Sequence, residues 1–85
     1  MRILHIFRSP HEALGPEVAA AQRAEGHDVA VVLIQDAVLR PLGAEDRALA
    51  AAEDVRERPA APPREQVDAY GIVKLMAEAD RVALW

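Results

Sequence analysis

The chain of 85 residues contains no cysteine. That excludes disulfides, thiolate metal sites and any persulfide or thiol chemistry carried by the chain itself. Aromatic residues are equally scarce, with one Phe, one Tyr and one Trp, so no platform exists on which bases would stack. Lysine occurs once, at Lys74. The remaining basic residues are dispersed arginines in a chain of net charge −4, which argues against nucleic-acid binding. No apolar run approaches the ~18 residues of a membrane span. The opening stretch MRILHIF runs straight into charged residues and is too short for the apolar region of a signal peptide, which predicts a cytoplasmic protein. His5, His11 and His27 are too scattered to suggest a metal, and no glycine pattern suits a phosphate. No cofactor is expected.

What is present is alanine, valine and alternation. At this length one domain is expected over residues 1–85, with a thin core burying about 60–65% of the unfolded surface. A chain without covalent or metal staples finds its remaining stability in partner subunits, so an oligomer is expected, most simply a homodimer.

Ile3–Phe7 is apolar on both faces apart from His5, as in a strand covered from both sides of a parallel sheet. Arg8-Ser9-Pro10 stops it, with Ser9 placed to cap the next helix. Helical spacing over Glu12–Glu25 puts Leu14, Val18, Ala21 and Ala20 or Ala24 on one face. The main helix is expected to start near Pro16 and end at Gly26. Asp28–Ile34 is the strongest strand signal, completing a βαβ unit. Asp36–Leu42 suggests a helical turn broken by Pro41, and alanine-rich 44–53 predicts a second helix. Val55–Arg58 reads as a short strand, and Pro59–Pro63 as a stiff connector. Gln66–Ala69 suits a short strand or the start of the next helix. Ile72, Leu75, Met76 and Ala79 mark a last helix over Gly71–Ala79, and Arg81–Trp85 a last strand. The pattern predicts an α/β three-layer domain, a small flavodoxin-like parallel sheet of four or five strands with helices on both faces.

In such sheets functional groups gather beyond the C-terminal ends of strands. Ser9 and His11 come after the first strand; Gln35 and Asp36 come after the second. These four form a candidate rim for a ligand or a partner's loop, with capping by Ser9 and Asp36 as the simpler alternative. His11 is the residue best suited to general-base work, but no nucleophile of recognisable context accompanies it, and no catalytic residue is assigned. Ile72, Leu75, Met76 and Trp85 are expected to divide between core and interface, with Trp85 serving as a core plug or an interface anchor.

Several stretches together resemble the DsrE/DsrF/DsrH superfamily, and within it the DsrH/TusB branch. They are Arg8-Ser9-Pro10, the run Val32 to Val38 (VLIQDAV), the run Val67 to Leu75 (VDAYGIVKL) and the closing Val82-Ala83-Leu84-Trp85. The branch typically has a KSP or RSP turn, an LLQDGV-like stretch, an IDYxxFVxL-like segment and a tryptophan near the end. The likeness covers about two-thirds of the chain. Ala37 stands where the family usually has glycine, and the family's third strand and the acidic-Arg-Gly segment after it have no recognisable counterpart. The resemblance implies a sulfur-relay assembly that passes persulfide sulfur toward tRNA thiolation or sulfur oxidation, with DsrE-like and DsrF-like subunits as partners. Without cysteine, the chain fits there only as a structural, non-carrying accessory subunit. The competing reading is a stand-alone homo-oligomeric small-molecule binding module of the same fold.

Overall fold

The structure, a computed structural model, describes residues 1–43 and 46–85. In chain order the elements are β1 (Arg2–Phe7), α1 (Leu14–Ala24), β2 (Asp28–Leu33), a 3-10 turn (Gln35–Leu39), β3 (Leu49–Ala51), α2 (Ala52–Glu57), β4 (Gln66–Val67), α3 (Ala69–Glu78) and β5 (Arg81–Leu84). The five strands form one parallel sheet in the order β4-β3-β2-β1-β5.

Register decides which residue meets which layer. His5 pairs with Val31 and Phe7 with Leu33, so alternate residues of β1 and β2 point to the same side. Phe7, Val31, Leu33 and Ala50 pack with Ala19 of α1, with Val38 of the 3-10 turn and with Val55 of α2. Leu4, Ile6 and Val32 point the other way and pack beneath Ile72, Leu75 and Ala79 of α3. β1 and β2 are therefore buried on both faces, which is why their sequences read as continuous apolar runs.

Helix ends obey ordinary capping chemistry. At the end of α1, Gly26 adopts φ +92°. Its N–H donates to the Arg23 carbonyl, and the His27 N–H donates to the Gln22 carbonyl, the double bond pattern of a glycine-terminated helix. At the start of α3, Asp68 accepts from the Gly71 N–H at 2.7 Å.

Several expectations need correction. The alanine-rich stretch is not one helix: Leu49–Ala51 is a strand, paired with Val32 and Leu33, and helix begins only at Ala52. Residues 44 and 45 of that stretch lie outside the described residues. Alanine favours helix by propensity, but Ala50 occupies a fully covered place in the first core cluster. Tertiary packing there overrides the local preference. Val55–Arg58 is not a strand; Val55 to Glu57 end α2, and Val55 packs on that same cluster. The buried face of α1 also differs. Leu14, Ala20, Ala21 and Ala24 are exposed, whereas Gly15 and Ala19 are buried and Gln22 is partly so. Large side chains rising from the sheet fill this layer, so the helix meets them with small residues. A Cβ on Gly15 would stand 2.6 Å from Phe7 and 3.0 Å from Trp85.

Candidate functional site

The rim residues make separate hydrogen bonds. Ser9 Oγ accepts the His11 N–H at 3.2 Å, a local turn within an exposed loop. Ser9 does not cap α1, whose N-cap position is Ala13; Glu12 takes that role by accepting the Gly15 N–H at 2.9 Å. Asp36 does not cap either. It accepts from Arg58 Nε at 3.0 Å, linking the 3-10 turn to the residue after α2. No hydrogen bond joins the Ser9–His11 pair to Gln35 or Asp36 among the described residues.

Gln35 is the rim residue with a marked backbone. Its φ of +53° is the one positive value among the described non-glycine residues, a left-handed conformation that side chains adopt at some cost. It turns the chain out of β2 directly into the 3-10 turn. Beside it lies a cavity of about 260 Å3 at the C-terminal ends of β2, β3 and β4. Ile34, Gln35, Val67 and Ile72 line it with Glu53 and Asp54, the acidic first turn of α2. Strand ends of this kind are where open parallel sheets hold ligands. Sequence reading missed the two carboxylates, because residues 44–53 look like continuous helix. Their position after β3 becomes visible only once Leu49–Ala51 is paired.

A second polar group lies inside the α1 layer. His5 is 1% exposed. Its Nε2 meets Gln22 Oε1 at 2.6 Å, and its Nδ1 accepts the indole N–H of Trp85 at 2.9 Å. Because indole nitrogen only donates, the ring proton belongs on Nε2, directed at the amide oxygen. Both ring nitrogens are thereby occupied, and the imidazole stacks on Trp85 with 6.0 Å between centroids. His5 is thus a structural bridge among β1, α1 and the residue after β5. His11 is exposed.

The four interface candidates separate. Ile72 and Leu75 pack on the second core cluster and Trp85 on the first. Met76 is exposed. It continues on α3 into Val73 and Tyr70, the latter 79% exposed. On the same side of the sheet, Val82 pairs with Leu4 and Leu84 with Ile6. Both are nonetheless exposed, Leu84 to 58%, because α3 covers Leu4 and Ile6 but leaves edge strand β5 bare.

An ion pair joins the segment leading into β3 to the segment leading into β4. Arg64, whose side chain is 2% exposed, donates to Asp46 Oδ2 at 2.8 Å and Oδ1 at 3.1 Å. That guanidinium, aided by the Gly43 and Ala48 N–H groups and opposed by burial, holds the Asp46 carboxyl below its usual range. Among the described residues no three His, Asp or Glu side chains converge as metal ligands, and no helix is long and apolar enough to cross a membrane.

The fold is an α/β fold, a five-stranded parallel sheet flanked by helices, and a solved structure shares it. The chain is similar to the solved ychN protein from E. coli, with a TM-score of 0.73 over 99% of this chain and 97% of that one, at 12% sequence identity. No protein-family model matches the sequence, and no curated protein does.

Proposed function

We propose that this chain is a non-carrying structural subunit of a cytoplasmic sulfur-relay assembly, seated beside cysteine-bearing DsrE-like and DsrF-like subunits. The reading is supported by the resemblance of the sequence to the DsrE/DsrF/DsrH superfamily, by the fold shared with the ychN protein, and by a chain without a single cysteine. A persulfide carrier needs a thiolate to accept and hold sulfur, so a chain of this fold without one contributes surface rather than chemistry. Exposed apolar side chains support this. Tyr70, Val73 and Met76 stand exposed one turn apart on α3, and Val82 and Leu84 stand exposed on β5; exposed apolar surface is where association sites form.

Affinity purification from the native cell tests the proposal. Recovery of cysteine-bearing subunits of the same fold is the expected result. A second reading, a stand-alone homo-oligomeric binding module, draws on the cavity beside Gln35. Recovery of the chain alone with a bound metabolite would establish that reading in place of the first.

A further inference from the structure

A cleft of about 120 Å3 opens on the α1 side of the sheet, between α1 and the segment leading into β3. Phe7, Val31 and Leu33 form its apolar floor, and Arg23, Arg40 and Arg47 stand around it. Three guanidinium groups at one small cleft are unexpected in a chain of net charge −4.

Among the described residues their hydrogen bonds go to carbonyl oxygens. Arg40 Nη1 donates to the Glu12 carbonyl at 2.6 Å, and its guanidinium lies 6.0 Å from the centre of the Phe7 ring. Arg23 Nη2 donates to the Val29 carbonyl at 3.2 Å. Carbonyl oxygens orient these groups but leave each with its full charge. Among the described residues, no carboxylate lies within ion-pair distance of the three arginines. Asp46 lines the same cleft, but both its oxygens are taken by Arg64 and by the Gly43 and Ala48 N–H groups. The guanidinium nitrogens of Arg23 and Arg40 not used in these bonds keep their donors for a further acceptor.

We propose that this cleft binds a small organic anion, a carboxylate head on a short apolar body. Guanidinium groups match carboxylates with paired, charge-assisted hydrogen bonds, and Pro16 and Ala48, the partly exposed apolar residues of the lining, face the apolar end above the buried floor. The volume equals about four molecules of liquid water at ~30 Å3 each. That is room for a short-chain acid.

Titration of the isotope-labelled full chain with formate, acetate and propionate, at constant ionic strength and with chloride as the background anion, tests the proposal by amide NMR shifts. Saturable shifts are expected at Phe7, Val31 and Ala48, with affinity rising from formate to propionate by up to about fourfold for each added methylene, the value for full removal from water. Arg47 is exposed and makes no hydrogen bond among the described residues, so Arg47→Ala tests the charge without disturbing the fold. It is expected to weaken propionate about tenfold, the loss of one charge-assisted bond. Arg40→Lys, which keeps the charge and loses the fork, is expected to weaken it as well. Shifts that rise linearly, that chloride reproduces, that ignore chain length, or that survive Arg47→Ala unchanged would overturn the proposal.

Discussion

The indole N–H of Trp85 donates to Nδ1 of His5 across 2.9 Å, joining residues 80 positions apart in the chain. This bond ties the residue after β5 to the central strand β1 and, through Nε2, to Gln22 of α1. Trp85→Phe keeps most of the aromatic volume but removes the donor, leaving a buried ring nitrogen unsatisfied. Stability is expected to fall by about 1–3 kcal/mol. Urea unfolding monitored by far-UV circular dichroism measures it, since the wild-type chain has no other tryptophan to serve as a fluorescent probe.

The approach of α1 to that pair leaves no room for a side chain at Gly15. Gly15→Ala would set a methyl 2.6 Å from Phe7 and 3.0 Å from Trp85. Overpacking of this kind costs about 1–3 kcal/mol. Gly43→Ala, where an added Cβ meets nothing within 4 Å, is expected to change stability by less than about 0.5 kcal/mol. Equal effects in thermal melts of the two variants would contradict this account of the α1 layer.

The Asp46–Arg64 pair predicts an acid-sensitive contribution to stability. Arg64 holds the folded carboxyl of Asp46 below its ordinary value, while the unfolded chain returns it to about 3.9. The contribution is therefore fully present above about pH 4 and is lost as pH falls through the folded value. Asp46→Asn is expected to lose about 1–3 kcal/mol at neutral pH, because Arg64 stays buried with only carbonyl acceptors. The variant should also lose less stability than wild type between pH 5 and about 3 in denaturant titrations. Parallel pH profiles would show that the pair carries no such linkage.

Val73→Glu and Met76→Glu change side chains that stand exposed on α3. Folding free energy is expected to move by less than about 0.5 kcal/mol. Association is expected to weaken markedly, since a carboxylate would be buried in an apolar contact. Sedimentation at micromolar concentration reads any self-association, and co-purification reads binding to heterologous subunits. A variant that assembles like wild type would place the interface on another face.

The central βαβ unit was readable because β1 and β2 are buried on both faces. A residue with cover on either side must be apolar wherever it points, and Ile3–Phe7 and Val29–Ile34 satisfy that with one exception. The exception, His5, carried no local sign of its partners, since Gln22 and Trp85 lie 17 and 80 residues away. α1 was legible as a helix, but its buried face was not. The helix meets a sheet layer already filled by Phe7, His5 and Trp85, so its inward positions are glycine, alanine and glutamine. Of the rim residues, Gln35 lines a cavity, while Ser9 and His11 make a hydrogen bond to each other.

Composition and periodicity alone determined the class of the protein: a cysteine-free α/β chain with parallel strands, unable to carry sulfur on its own side chains. Those properties come from residue chemistry and from the period of apolar positions, which act locally. Tertiary structure alone decided that Leu49–Ala51 is a strand, that Arg23, Arg40 and Arg47 surround one cleft, and that β5 keeps Val82 and Leu84 uncovered. Each of these depends on which distant segment lies alongside. Alanine by itself favours helix over strand, so at Leu49–Ala51 the neighbouring strands override the preference of the residues.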